Sequence, residues 1–218
     1  MSTSPSAAEP LIFPIGHTLG ALLAGGDKRI PRIRRGPEVK TPEQPAYATW
    51  LLLHGDPDAL EKGQAWTRRA VEELAESSGG GSVAGHIDQL LADGLAVEVV
   101  PGTPQALQFA ETHRLVPLML GLGNTADEPW LYGIGLIGQP LVTVTHPVFE
   151  VWQWSPAEES LWLTCRGTVE VARRAGSTNP DVTDAERLLN GFLPTVHSLL
   201  AAGVACLDVH FRLRPPGS

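Results

Sequence analysis

Apolar residues in this chain come in short runs broken by Gly, Pro and Asp, and their spacing alternates between strand-like and helix-like periods. LIFPIGHTLGALLAGG, residues 11–26, predicts a strand, a glycine turn and a second apolar strand. RIPRIRR follows, and Pro31, which has no N–H for a ladder, limits it to an edge strand. Thr41, Pro42 and Gln44 form a capping-box pattern, which predicts a helix through Ala48, Leu51 and Leu52 to about His54. TRRAVEELAES spaces Ala70, Val71, Leu74 and Ala75 as a second helix. After SSGGG, Ser82 is the expected N-cap of a third helix that buries Val83, Ile87, Leu90 and Leu91 and stops at Gly94. VEVV, the turn PGTP and the alternation in LQFA then predict a β-hairpin.

The second half repeats this order. Strands are expected around 114–122, 130–137 and 141–145, then a helix after Pro147 with Val148, Val151 and Trp152. Ser155 with Glu158, and Thr183 with Glu186, form capping boxes for two further helices, and Pro194 marks a turn before TVHSLLAAG and the strand VACLDVHF. LLADGLA at 90–96 returns as LLAAGVA at 199–205, identical at five of seven positions. Ile15 and Gly16 also match Ile134 and Gly135, and Trp50 matches Trp152, so the pattern reads as a duplicated unit.

The order hairpin, helix, helix, tight turn, helix, hairpin resembles the winged helix-turn-helix superfamily. LLADGLAVEVV matches a third helix entering its wing and PGTP matches the wing turn. The resemblance spans residues 46–110, and 147–210 more loosely. It implies an α+β fold of tandem winged-helix-like repeats with short antiparallel β-hairpins, packed as one unit. The expected layout is a disordered leader at 1–10, repeats at 11–113 and 114–213, and a tail at 214–218. Tandem winged helices of similar length and acidity occur in the segregation and condensation protein B family and in an ESCRT-II subunit, where they bind protein.

Composition narrows the setting. A 43% hydrophobic and 18% charged chain of 218 residues fits a folded soluble protein of one or two domains. With no secretion signal and no membrane-length apolar run, the expected location is cytoplasmic, without membrane contact. Cys165 and Cys206, outside any CxxC or CxH pattern, read as buried hydrophobes. The net charge of −8 is unevenly spread: Lys28, Arg29, Arg32, Arg34, Arg35 and Lys40 cluster, whereas residues 50–218 hold ten basic and twenty acidic residues. That body repels polyanions, so nucleic acid or an acidic partner could meet only the basic segment, whose charges also suit a protected edge strand.

Candidate chemistry is sparse. GLGNTA at 121–126 fits GxGxxA, but Pro129 and WLYGIG follow too soon for a phosphate-binding helix, so it reads as a β-turn. Seven dispersed histidines, without HxH or HExxH spacing, read as surface or helix-end residues, and no metal or cofactor is expected. Glu158 and Glu159 are accounted for as a cap and a first-turn charge. No nucleophile elbow or Walker pattern occurs. Trp152 and Trp154, two apart on a helix, cannot share a face, which makes them candidates for domain or partner contact.

DNA readout by a winged helix needs cations on its recognition helix. The first candidate would expose Ser82, Ala84, His86, Asp88 and Gln89, the second Thr195, His197 and Ser198, with no Lys or Arg. The sequence is therefore read as a non-enzymatic cytoplasmic adaptor or regulatory protein acting through protein–protein contacts with a partner whose identity it does not specify. One alternative is a DNA-binding transcriptional regulator, a homodimer presenting two basic segments to one duplex. Another is an enzyme or small-ligand binder using the cleft between repeats.

Overall fold

The computed structural model describes residues 9–26 and 28–210, with Lys28 placed by its backbone. Apart from Glu9 and Pro10, the expected leader and the tail at 214–218 lie outside the described residues. Glu9 accepts two bonds from Arg69, at 3.3 and 3.0 Å.

The first half runs β1 (Leu11–Pro14), β2 (His17–Ala24), β3 (Lys28–Arg35), β4 (Glu38–Lys40), α1 (Gln44–Leu52), α2 (Pro57–Glu61), α3 (Arg68–Ser77), α4 (Ala84–Ala92) and β5 (Ala96–Val99). Helix α5 (Pro104–Thr112) leads into β6 (His113–Pro117), β7 (Leu120–Gly123), β8 (Leu131–Leu136) and β9 (Gln139–Thr145). Then come α6 (His146–Trp154), α7 (Leu161–Arg174), α8 (Pro180–Thr183), α9 (Ala185–Phe192), α10 (Val196–Ala201) and β10 (Ala205–Val209). The fold is α+β. In each half the first strand pairs antiparallel with the last, β1 with β5 and β6 with β10, and the strands between form a three-stranded antiparallel sheet.

The recurring heptapeptide has a structural cause. Gly94 at φ +67° and Gly203 at φ +65° turn the chain out of α4 and α10, a conformation that a Cβ disfavours. The Leu95 N–H then bonds Leu90 O at 2.8 Å, and that of Val204 bonds Leu199 O at 3.0 Å. The freed Leu95 carbonyl accepts Trp50 Nε1–H at 3.1 Å and the Ile15 N–H at 2.9 Å. The Val204 carbonyl accepts Trp152 Nε1–H at 3.1 Å and the Leu118 N–H at 2.9 Å. The Trp50–Trp152 correspondence is thus a shared bond. The match of Ile15 and Gly16 to Ile134 and Gly135 is not: Ile15 corresponds to Leu118, while Ile134 lies in β8, the counterpart of β3 and its buried Ile33.

Two apolar cores meet at β1. Ile12 packs with Ile33, Trp50, Trp66, Ile87 and Leu90, whereas Leu11, Phe13 and Ile15 join Phe109, Leu193, Val196 and Leu199. Strand alternation sends neighbouring side chains to opposite faces, so one four-residue strand serves both cores.

Several local expectations are overturned. PGTP and LQFA are not a hairpin: Thr103 caps α5, accepting the Ala106 N–H at 3.3 Å, and Ala106, Phe109 and Ala110 face the core at helical spacing. β5 pairs with β1 instead of with a strand that follows it. β3 is central, not an edge, yet β4 covers only Ile33 to Arg35, so Pro31 lies beyond its reach. The caps are Glu43, Val83, Ser160 and Asp184 in place of Thr41, Ser82, Ser155 and Thr183. The Ser155 hydroxyl instead donates to Trp152 O at 2.8 Å.

Candidate interaction surface

The basic segment does not form one open strip. Alternation along β3 puts Arg32 and Arg34 on one face and Arg29 and Arg35 on the other. Arg34 Nη2 lies 3.6 Å from the carboxylate of Asp208, Arg35 Nε–H donates to Gly94 O at 2.9 Å, and Lys40 Nζ pairs with Glu38 at 2.8 Å. Arg32 is half-buried, and Arg29 is exposed. Lys28 opens β3 opposite Ala24. Part of the positive charge therefore ties the halves together.

That seam was not legible in the sequence. Asp208, 2% exposed on β10, accepts the Gly36 N–H at 2.6 Å from the β3–β4 turn. His197, expected on an exposed recognition face, is 1% exposed. Its Nε2–H donates to Ile12 O at 2.8 Å and its ring stacks on Phe13 at 4.6 Å, which leaves Nδ1 buried without a partner. Burial, only partly opposed by the bond to Ile12, pushes His197 down to about 4, so the ring is neutral near pH 7. Burial also lowers His113, to about 4, and His54. It raises both cysteine thiols to about 12, which makes them poor nucleophiles.

The candidate recognition helices differ. On α4, Asp88 and Gln89 are exposed and His86 is half-buried, with Asp88 bonded to Arg68 of α3 at 2.7 Å. On α10, Val196, His197, Leu199 and Leu200 are all buried. Trp152 is also core, 3% exposed and committed to Val204, so of the two tryptophans only Trp154 is open to external contact. Trp154 is 53% exposed, its Nε1–H bonded to Glu150 at 3.1 Å.

The larger exposed surface is apolar sheet. Leu19, Leu22 and Leu23 on β2, and Leu120, Leu136, Leu141 with Ile137 and Trp130 around β7–β9, are open to solvent. The hydrophobic pattern marked these strands, but their exposure depends on where the helices pack. GLGNTA is not a β-turn: it covers the last three residues of β7 and the start of the loop that joins it to β8.

Two concavities flank this surface. A cleft of about 470 Å³ lies between the halves, lined by α2, β9 and α10, with Glu61 its one charged side chain and no histidine or cysteine. A groove of about 790 Å³ beside α6 and α9 carries Asp181 and Arg187. The first also carries the hydroxyls of Thr143 and Ser198 and the second those of Thr145 and Thr195; Thr195 Oγ1 donates to Phe192 O at 2.7 Å. Among the described residues no group of three His, Cys, Asp or Glu side chains could hold a metal, and no helix is long and apolar enough to cross a membrane. No protein-family model, curated protein or solved structure matches the chain.

Proposed function

We propose that this protein is a non-enzymatic cytoplasmic adaptor or regulatory protein that acts through protein–protein contacts of two winged-helix-like modules. The burial of α10 carries the reading. A helix with Val196, His197, Leu199 and Leu200 inside the core cannot enter a DNA groove without unfolding, and α4 presents Asp88 with no Lys or Arg. Phosphate neutralisation would be left to a basic segment partly spent on Asp208, Gly94 and Glu38. Leu23, Trp130 and Ile137, at 64%, 64% and 87% exposure, are instead suited to apolar contact with protein.

Two measurements test this reading. Photo-reactive residues at Ile137 and Trp154 should cross-link a discrete protein partner in cells. Duplex DNA should bind weakly, with anisotropy lost by about 200 mM salt. Sequence-selective DNA binding that survives such salt, with no protein cross-link, would replace the adaptor by the regulator.

A further inference from the structure

Strand β3 meets the β6–β10 ribbon through arginines. Alternation puts Arg32 and Arg34 on one face of β3, two residues or about 7 Å apart, and Arg34 Nη2 lies 3.6 Å from Asp208. Arg114 stands directly across the β6–β10 ladder from Asp208, so its side chain leaves the ribbon on the same face. Cys206, two positions before Asp208, shares that face. Its thiol is raised to about 12 by burial and by Asp208, and Arg34 and Arg114 both oppose the rise, which places the two guanidinium groups near one another. The Asp208 carboxylate is already occupied: Oδ1 accepts the Gly36 and Val209 N–H groups at 2.6 and 2.9 Å, and Oδ2 faces Arg34. Arg32 and Arg114 are half-buried, and the Nε–H of each is buried without a hydrogen-bond partner. Among the described residues neither has an ion-pair partner.

We propose that Arg32, Arg34 and Arg114 form a binding site for a phosphomonoester group, with Arg32 and Arg114 as its principal donors. Charge selects this class of ligand. Asp208 neutralises one of the three guanidinium groups, and the two that remain match the double negative charge of a phosphomonoester near pH 7. A carboxylate would leave one of them uncompensated. Shape agrees with charge: a guanidinium donates from Nε and Nη side by side, a fork that fits two oxygens, and a phosphate has enough oxygens to serve two forks. The ligand thus supplies the partner that the two buried Nε–H groups do not find in the chain, where an unpaired donor costs free energy. Two packed strands hold the arginines in place before the ligand arrives, which keeps the cost of ordering them small. The inference goes beyond the adaptor reading and does not depend on it.

The test is a titration of the full chain at low salt with inorganic phosphate and with a phosphoserine peptide, followed by calorimetry and by the arginine Nε–H resonances. Both ligands should bind and shift the Nε–H signals of Arg32 and Arg114, and the unphosphorylated peptide should do neither. Tighter binding of the phosphopeptide would identify a modified partner protein as the source of the group, and equal binding a free phosphate; either result supports the site. Arg32→Gln and Arg114→Gln should each raise the dissociation constant at least about tenfold, whereas Arg29→Gln, on the other face of β3, should leave it unchanged. The Nε–H shifts are read on the parent, so they decide the matter even if a variant fails to fold. No heat and no Nε–H shift at about 20 mM phosphate would overturn the proposal. So would an equal loss in Arg29→Gln, which would reduce the effect to general attraction by the basic segment, or duplex DNA that engages the same arginines more tightly than either ligand.

Discussion

Helices α4 and α10 end in nearly the same seven residues and occupy different environments. On α4 the buried positions are Ile87 and Leu90, and Leu91 is only partly covered. On α10 the corresponding Leu199 and Leu200 are both buried, and His197 reaches across to β1. The heptapeptide therefore dictates a local geometry, a left-handed glycine after the helix and a carbonyl offered to a tryptophan. It does not dictate burial, which comes from what the rest of the chain places against the helix. Two halves with the same ending can thus differ in burial, with Leu199 and Leu200 both covered on α10 and Leu91 only partly covered on α4.

The largest effects should follow this division. Leu90→Ala and Leu199→Ala should each cost about 2–5 kcal/mol in urea unfolding, because both leave cavities in full cores. Leu200→Ala should fall in the same range and Leu91→Ala near or below about 1 kcal/mol, since its side chain is partly solvated already. Equal losses at Leu91 and Leu200 would mean that the two helices are buried alike.

Acid should act next. His197 and His113, both at about 4, are held below their unfolded value near 6.5 because the fold favours the neutral ring. Their contribution is complete above pH 6.5 and is lost as pH falls toward 4. Between pH 7.5 and 5 each should remove about 2 kcal/mol of stability. His113→Gln should eliminate its share of that slope; an unchanged slope would show that His113 titrates normally in the fold.

Smaller effects belong to the shared turn. Gly94→Ala and Gly203→Ala should each cost about 1–2 kcal/mol for a side chain at positive φ. Gly94 should be the more sensitive, because a Cβ there would come within 3.1 Å of the Arg35 guanidinium, whereas nothing crowds Gly203. A melting series on the two variants measures the difference, and a larger loss at Gly203 would contradict it.

These particulars show what the sequence could carry. The glycine-terminated helices, the strands that follow them and the Trp50–Trp152 correspondence were legible because each depends on neighbouring residues or one indole. The caps lie one to five residues beyond the expected ones: Ser160 and Asp184 accept the Leu163 and Arg187 N–H groups in place of Ser155 and Thr183, whereas Glu43 and Val83 begin their helices without a side-chain cap bond. Thr103 and Pro104 fit a wing turn and a helix start equally well, because Thr before Pro also opens helices. The seam was hidden for another reason: His197 meets Ile12 across 185 positions, and Asp208 meets Gly36 across 172. No local pattern encodes such pairs. The apolar sheet surfaces were visible as strands, but the sequence does not say which strands the helices leave uncovered.

Native-state hydrogen exchange at the two helices tests the central claim most directly. If α10 is an interior element, the amides of Leu199 and Leu200 should exchange only through global unfolding, with a denaturant dependence equal to that of whole-molecule unfolding. The amides of α4 around Asp88 and Gln89 should exchange through smaller local openings. Exchange at Leu199 and Leu200 that is as fast as in α4, and insensitive to denaturant, would mean that α10 detaches readily. A recognition helix would then be available after all, and the protein-contact account would lose its main support.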